Sequence, residues 1–438
     1  MSLPRYAEYK ESGMAWLGSV PAHWDLRRLG HFFEERREKV SDKDFPALSV
    51  TRQGIVPQLE NVAKTDDGGN RKKVCAGDFV INGRSDRKGS SGAASMDGSC
   101  SLISIVLRPN EDIQIAFAHH LLRSIPFQEE FYRYGKGIVA DLWSTNYSEM
   151  KNISLAVPPR TEQSAIATFL DRETGKIDAL IAEQENLLTL LAEKRQATIS
   201  HAVTCGLNPD APMKDSDVLW LGEVPAHWNV TPLKYLVSLK SGGTPSKANL
   251  DYWDGDVPWA SARDLKSEML GDTTEHLTAL AVASGAAAML PAGVVLVVVR
   301  GMILARMFPV TETLVPMAIN QDLKAVLPKV GLNGSFLAWL LRGTADESLQ
   351  RLDEAGHGTK ALRMEAWTSM HLPVPPEPEQ QEIVAFIVKR NGELDSLARE
   401  AERAIALLKE HRSALIAAAV TGKVDVREQL HATEDACS

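Results

Sequence analysis

Two nine-residue stretches decide how this chain is organised: residues 16–24 read WLGSVPAHW, and residues 220–228 read WLGEVPAHW. Eight of the nine positions are identical, at an offset of 204. A second pair lies downstream, where 158–204 begins PPRTEQSAIATFLDRETG and 375–421 begins PPEPEQQEIVAFIVKRNG, with 20 of 47 positions identical at an offset of 217. Two matches in the same order predict a tandem duplication, each copy having a short motif, a variable block and a long helix.

The two downstream stretches have the pattern of long helices. Their paired prolines cannot continue a helix but are well placed just before one. Beyond them apolar residues such as Ile166, Phe169 and Ile177 recur in a narrow stripe, which is typical of a helix pair or coiled coil. Each stretch would span about 60 Å if it were continuous. Two ordinary amphipathic core helices are the alternative, but the matched stripes favour antiparallel pairing across a pseudo-twofold axis.

The blocks between these stretches mix short apolar runs with Gly and Pro turns and short helical segments, which predicts an α+β fold. We therefore predict a tandem duplication of a globular α/β domain followed by a long helix, the two helices forming an antiparallel coiled-coil spacer. The expected boundaries are a first globular domain at 1–157, a helical region at 158–204, a linker at 205–217, a second globular domain at 218–374, a second helical region at 375–427 and a C-terminal tail at 428–438.

Composition is that of an ordinary globular protein, with 44% apolar and 24% charged residues among 438. The first residues lack a signal-peptide pattern and the longest apolar run is broken by Gly and Pro, so we expect a cytoplasmic protein without a membrane span. The net charge of −9 argues against a nucleic-acid partner. However, residues 1–157 carry 21 basic and 20 acidic side chains, and 231–374 carry 13 and 14. A polyanion would therefore have to bind the near-neutral blocks.

The catalytic signatures that can be tested in this sequence fail on spacing or context. Residues 135–140 fit a dinucleotide fingerprint but lack a preceding buried strand and a later acidic residue. Residues 241–247 are glycine-rich, but the spacing is not that of a phosphate-binding loop and Pro245 removes a backbone donor. His119 and His120 are adjacent and would face different ways on a helix, which disfavours a metal site. The chain is predicted to be non-catalytic.

The whole layout resembles the specificity subunit of Type I restriction–modification enzymes. The resemblance rests on WLGxVPAHW at the head of each half, the SGGTPS turn at 241–246 with YWxGDxPW at 252–259, Asn320-Gln321, and the duplicated PPxxEQ helix. It covers essentially all 438 residues, although the first block lacks an SGGTPS element. In that family the two blocks are target recognition domains, each reading half of a split site in double-stranded DNA.

The resemblance also implies the partners. The repeated helices would set the gap between the half-sites and dock two methyltransferase subunits, and motor-nuclease subunits would join that assembly. S-adenosylmethionine, ATP and Mg²⁺ would belong to those partners, and this chain would hold no cofactor and no metal. Acidic helical regions agree with protein partners rather than phosphate at that place.

Candidate contacts follow from residue type and position, because arginine can read guanine and lysine can hold phosphate. For each of them a solvated surface charge is the alternative. In the two blocks the candidate DNA contacts are Arg71, Lys72, Lys73, Arg84, Arg87, Lys88, Lys136, Thr244, Ser246, Lys247, Arg263, Arg300, Lys360 and Arg363. The candidate partner contacts lie at the helix starts, where simple capping is the alternative: Glu162, Gln163, Glu379 and Gln380.

Two rival functions remain open. The same scaffold could serve as a stand-alone two-headed DNA-binding or regulatory protein without methylation partners. The chain could also be an enzyme in its own right, a nuclease or a transferase. Copurification with a methyltransferase would separate the first rival, and an assay of the pure chain with DNA, Mg²⁺ and S-adenosylmethionine would test the second.

Overall fold

A computed structural model describes residues 3–58, 69–137, 143–354 and 358–427 of the chain. The contacts divide it into two units. Unit 1 comprises Met1–Glu185 and Glu402–Ser438, and unit 2 comprises Asn186–Ala401. Each unit contains one variable block, the first part of one long helix and the last part of the other.

The first block contains short strands and helices that lead into a long helix. Its strands are β1 (Tyr9–Glu11), β2 (Ser19–Pro21), β3 (Asp25–Arg28), β4 (Phe33–Glu35), β5 (Lys39–Val40), β6 (Leu48–Thr51), β7 (Gly54–Pro57), β8 (Arg71–Val74), β9 (Phe79–Asn82), β10 (Ser91–Ala93), β11 (Gly98–Cys100), β12 (Ser104–Pro109) and β13 (Ser154–Val157). Its helices are α1 (Leu29–Phe32), α2 (Ile115–Arg123), α3 (Ile125–Arg133) and α4 (Tyr147–Met150), followed by α5 (Arg160–Cys205).

The core of unit 1 lies between a small antiparallel sheet and helices. The sheet has the order β10-β9-β12-β4, and a second sheet has the order β11-β8-β5. β9 and β12 read as apolar runs because they are buried on both faces, and Phe79 and Leu107 have no exposed surface. Ile166 and Leu170 of α5 enter the same core. β13 pairs antiparallel with β3, with Val157 opposite Asp25 and Ser154 opposite Arg28, so the end of the block lies beside its beginning.

The second block repeats this plan, with more strands among its described residues. Its strands are β14 (Met213–Asp215), β15 (Glu223–Pro225), β16 (Asn229–Pro232), β17 (Val237–Ser241), β18 (Trp253–Ala260), β19 (Met269–Leu270), β20 (Glu275–Leu277), β21 (Val295–Val298), β22 (Arg300–Gly301), β23 (Val310–Thr313), β24 (Ala318–Ile319), β25 (Leu323–Pro328), β26 (Leu352–Glu354), β27 (Lys360–Leu362) and β28 (His371–Val374). Its helices are α6 (Leu233–Leu236), α7 (Ala279–Ala283), α8 (Gly334–Gly343), α9 (Ala345–Leu349) and α10 (Met364–Thr368), followed by α11 (Glu377–Val420).

The main sheet of unit 2 has the order β17-β25-β21-β23-β19. Its central strand β21 is fully buried, with Val295, Leu296, Val297 and Val298 at 0% exposure. Two smaller sheets have the orders β20-β18-β24 and β22-β27-β26. β28 pairs with β16, as β13 pairs with β3 in the other block. The predicted α+β class is confirmed.

The long helices contact each other inside each unit, and in unit 1 they run in opposite chain directions. In unit 1, Asp178 of α5 pairs with Arg412 of α11, and Glu185 of α5 pairs with Lys409 of α11. The residue number therefore rises along α5 as it falls along α11. In unit 2, Arg195 of α5 pairs with Asp395 of α11. Asp178 and Asp395 are 217 residues apart, and so are Arg195 and Arg412. The duplication therefore preserved an ion pair between the helices.

Two predicted segments differ from the structure. The helical region expected at 375–427 ends at Val420, because Thr421 and Gly422 form a turn in which Gly422 has a φ of +69°. The stretch expected as a linker at 205–217 contains β14, which pairs with β15. The expected tail at 428–438 lies outside the described residues. Among the described residues no helix is long and apolar enough to cross a membrane.

Candidate nucleic-acid interface

The repeated motifs hold each block onto its long helix. In unit 1 the carboxylate of Glu162 accepts hydrogen bonds from Tyr6 Oη at 2.6 Å and Trp24 Nε1 at 2.9 Å, and it contacts His23 Nε2 at 2.7 Å. Trp24 is fully buried and Glu162 is 5% exposed. Burial and the hydrogen bond to Glu162 raise the pKa of Tyr6, so its hydroxyl stays a donor. We call the Glu162 cluster the unit 1 anchor.

Unit 2 contains the equivalent anchor. The carboxylate of Glu379 contacts His227 Nε2 at 2.8 Å and accepts a hydrogen bond from Trp228 Nε1 at 3.1 Å. In both units the WLGxVPAHW stretch contacts the PPxxEQ stretch, although 138 to 156 residues separate the bonded side chains in these two anchors.

The adjacent glutamines complete the anchors. Gln163 and Gln380 are both 0% exposed. Each donates from Nε2 to the first proline carbonyl of its helix region, Pro158 or Pro375, at 2.9 Å. Each also accepts a backbone N–H from the block, at 2.7 Å for Gln163 and 2.8 Å for Gln380.

The expectation that Glu162, Gln163 and Gln380 dock a partner therefore has to be corrected, whereas for Glu379 it stays a prediction. Glu162, Gln163 and Gln380 are buried and use their polar atoms inside the fold, so a partner cannot reach them while the unit is folded. Glu379, with 26% of its side chain exposed, is engaged by His227 and Trp228. All four attach a block to a helix.

A cleft in the first block collects several predicted DNA contacts. It has a volume of about 580 Å³ and lies between β6, β9 and the turn before β12. Arg71, Arg84 and Arg87 line it, and so do residues that sequence reasoning missed. The missed lining includes Ser49, Thr51, Arg52, Gln58, Asn82 and Ser101. Such a mixture of arginine, amide and hydroxyl groups provides the donors and acceptors that base edges and phosphates require.

The arginines of this cleft differ in availability. Arg84 is exposed, and Arg87 has 69% of its side chain exposed with Asp86 3.7 Å away. Arg71 is 6% exposed and donates to Ser99 Oγ at 2.9 Å and Ser99 O at 3.2 Å, so it fixes β8 to β11 and is not free to read a base. This corrects the prediction for Arg71.

The lysines predicted in the first block all have acidic partners. Lys72 Nζ lies 3.2 Å from Glu35 and donates to Ser104 O at 2.8 Å, with only 16% of its side chain exposed. Lys73 pairs with Glu38, Lys88 with Glu129 and Lys136 with Glu149. Lys72 is thus a structural residue, which corrects its predicted role. The other three lie nearer the surface but reach phosphate only by leaving these carboxylates.

In the second block the SGGTPS turn is held by two tryptophans. Trp259 Nε1 donates to Gly243 O at 3.0 Å, and Trp253 Nε1 donates to Ser246 O at 3.2 Å. Thr244 Oγ1 donates to Gln321 at 2.5 Å. A Cβ on Gly242 would lie 2.0 Å from Ile319 O, so only glycine allows this close approach. The turn is therefore a rigid, exposed element that presents Thr244, Ser246 and Lys247.

The remaining predicted residues of the second block do not form one site. Lys247 pairs with Glu275 at 3.0 Å and lies over the Trp253 ring. Arg263 lines a separate cavity of about 300 Å³ together with Lys266, Asp272 and Thr274. Arg300 is exposed on β22, Lys360 pairs with Glu354, and Arg363 lies 3.5 Å from Asp353. Among the described residues no cluster of His, Cys, Asp and Glu could hold a metal ion.

Comparison with known proteins bears on both halves. The family model for the Type I restriction modification DNA specificity domain matches residues 225–396. The EcoR124I/EcoR124II Type I restriction enzyme specificity subunit of Escherichia coli is 27% identical over 325 residues, which cover 72% of each chain. Over these stretches the chain is similar to Type I restriction–modification specificity subunits. The unit 1 anchor at Glu162 repeats the contacts of the unit 2 anchor at Glu379, so the first half of the chain shares this arrangement with the half that contains the matched domain.

A further relative and two solved structures are also similar to this chain. The Type I restriction enzyme MjaIX specificity subunit of Methanocaldococcus jannaschii is 25% identical over 179 residues, or 40% of this chain and 39% of that protein. The fold matches a chain in a solved structure of a type I restriction–modification system, with a TM-score of 0.70 and 17% identity over 92% of this chain and 98% of that one. It also matches the HsdS subunit of Thermoanaerobacter tengcongensis, with a TM-score of 0.53, 18% identity and the same coverage. These likenesses support the predicted specificity-subunit fold.

Proposed function

We propose that this specificity subunit reads a bipartite site in double-stranded DNA, one half-site per block. The observation that carries this proposal is the pair of matched anchors holding dissimilar blocks. The Glu–Trp contacts are the same in both units, whereas the exposed polar elements differ: an arginine-lined cleft in the first block and a tryptophan-held turn in the second. A repeated attachment with different exposed elements fits two readers of different sequences.

The long helices supply the surface for protein partners in this proposal. Large apolar side chains on them are more than a third exposed, which marks interaction surfaces when they cluster. They are Leu180, Leu187 and Leu190 on α5 and Phe386, Val388, Leu397 and Leu407 on α11. We propose that two methyltransferase subunits cover these faces and that the helices set the gap between the half-sites.

The specificity subunit is the non-catalytic component of its complex. We propose that S-adenosylmethionine, ATP and Mg²⁺ are held by the methyltransferase and motor-nuclease subunits. Cellular DNA as the target would place the assembly in the cytoplasm.

A block exchange tests the proposal. Residues 25–157 are replaced by the first block of a relative with a known site, the complex is assembled with its methyltransferase, and modified adenines are mapped in genomic DNA. We expect one half-site to change and the other to persist. The matched exchange of residues 229–374 should change only the other half-site. If either exchange altered both half-sites, separate reading by the two blocks would be wrong.

A further inference from the structure

A helix segment that repeats within the two blocks places an arginine at equivalent positions. Residues 117–123 read FAHHLLR in α2, and residues 336–342 read FLAWLLR in α8. Each arginine donates from Nη2 to a backbone carbonyl: Arg123 to Arg52 O at 2.5 Å, and Arg342 to Glu268 O at 2.6 Å. Arg52 in unit 1 and Glu268 in unit 2 therefore play the same backbone role toward their arginine.

Their side chains have opposite charges. In unit 2 the Glu268 carboxylate pairs with Arg195 of α5 at 2.6 Å, while Arg195 also pairs with Asp395. Burial lowers the pKa of Arg342, and the charges of Glu268 and Glu312 offset part of that lowering. Two arginines in unit 2 thus lie close to three carboxylates.

In unit 1 the same arrangement lacks its balancing carboxylates. Arg412 pairs with Asp178 at 2.8 and 3.1 Å, as Arg195 does with Asp395. No described carboxylate pairs with Arg123 or Arg52; Arg123 instead contacts His119 Nε2 at 3.0 Å. Burial and the charge of Arg412 both lower the pKa of Arg123. An arginine that is largely removed from water without a counterion is costly, which favours an anion from outside.

Arg52, Arg123 and Arg412 line a cavity with room for an anion. It has a volume of about 330 Å³ and is open to solvent. The other charged groups around it are already paired, Lys88 with Glu129 and His120 with Asp171. The lining residues are Arg52, Lys88, Gly89, His119, His120, Arg123, Gln128, Arg412 and Ile416. Arg52 lines both this cavity and the DNA cleft of the first block.

We propose that the cavity between Arg52, Arg123 and Arg412 binds one phosphate group, supplied by the DNA backbone beside the first half-site. Guanidinium groups suit phosphate because their planar donors form paired hydrogen bonds with its oxygens. DNA as the source rests on the proposed function and on Arg52, which joins the cavity to the cleft. The phosphate contact would add affinity and register without sequence information.

The test replaces Arg52 by glutamate, the residue type that accepts the equivalent arginine hydrogen bond in unit 2. Arg52→Glu supplies an internal carboxylate to Arg412, as Glu268 does to Arg195, and Arg52→Gln removes the charge only. Arg28→Glu is the matched control, because the Arg28 side chain is exposed and its one described side-chain hydrogen bond is to Asn152. Thermal unfolding of the full chain is measured in inorganic phosphate against chloride at equal ionic strength. Nonspecific duplex binding is measured between 50 and about 200 mM salt.

We expect phosphate to raise the unfolding temperature of the native chain and of Arg28→Glu, because a ligand that binds the folded state stabilises it. Arg52→Glu should lose this rise and Arg52→Gln should reduce it. The salt slope of DNA binding should fall by about 1 in Arg52→Glu relative to Arg28→Glu, as one phosphate contact requires.

Three results would overturn parts of the proposal. No phosphate-dependent rise in the native chain would remove the site. A rise without any change in salt slope would make free phosphate, not DNA, the ligand. An equal rise with succinate would indicate a carboxylate from a protein partner. Because the phosphate measurement uses no DNA, failure of the block exchange would leave the anion site standing, and the two failures are distinguishable.

Discussion

The unit 1 anchor allows a prediction of magnitude, because replacing Glu162 by Gln keeps its shape and removes its charge. Tyr6 and Trp24 both donate to Oε1, and His23 faces Oε2. The amide oxygen can keep the first two bonds, and the amide N–H can donate to His23 in its other tautomer. What is lost is charge assistance, which roughly doubles the strength of each bond.

With three bonds to a buried carboxylate, a loss of about 1 kcal/mol each gives about 3 kcal/mol. Glu379→Gln is the matched control, because Glu379 has two such bonds and is 26% exposed, where water screens the loss. We expect that variant to lose about 1 kcal/mol.

Hydrogen exchange followed by mass spectrometry measures the two costs separately, because it reports local opening within each unit. In Glu162→Gln, peptides over β2 and β3 should exchange about a hundredfold faster, since 1.4 kcal/mol is a factor of ten. In Glu379→Gln, peptides over β15 and β16 should change less than about tenfold. Equal effects in the two variants, or no effect of Glu162→Gln, would refute the assignment of the carboxylate as the attachment point.

Two further outcomes follow from particular contacts. Burial and Arg123 lower the pKa of His119 to about 4. Its contribution to the free energy of unfolding is therefore complete above the ordinary value of 6.5 and is lost as the pH falls toward 4. Urea unfolding at several pH values should show that His119→Asn loses less stability over that range than the native chain, by up to about 3 kcal/mol. Gly242→Ala should displace the 241–246 turn and weaken specific modification by tenfold or more relative to nonspecific DNA binding. Gly243→Ala is the control and should act like the native chain, because its Cβ would meet nothing within 4 Å. Equal activity of the two variants would contradict a rigid turn.

The long helices were the most predictable part of the structure. Helix α5 runs from Arg160 to Cys205 against an expected 158–204, because paired prolines mark its start and an apolar stripe runs along it. The end of α11 was less predictable, since the turn at Gly422 depends on its packing against Pro21 and Trp24. Helical periodicity shows where a helix can exist, whereas its end is set by contacts distant in sequence.

The site was predictable only in part, because charge and position do not reveal pairing. Arg84, Arg87 and Arg71 do line one cleft, but Arg71 is used inside the sheet. Ser99, which holds Arg71, is 28 residues away in sequence, and nothing in the local pattern indicates that contact. Arg52 was missed because a single arginine after an apolar run has no distinctive signal.

The duplication carried more information than either half alone. Stretches that stayed alike are those that contact each other, namely the motif and the helix start joined through Glu162 and Glu379. The Arg–Asp pairs at an offset of 217 likewise join residues that contact each other in both units. Against this common scaffold, a difference becomes informative: Arg52 and Glu268 serve the same backbone role with opposite charges. In unit 2 the carboxylates balance the charge of the arginines, whereas in unit 1 no described carboxylate pairs with Arg52 or Arg123. Unit 2 therefore serves as an internal control for an anion site in unit 1.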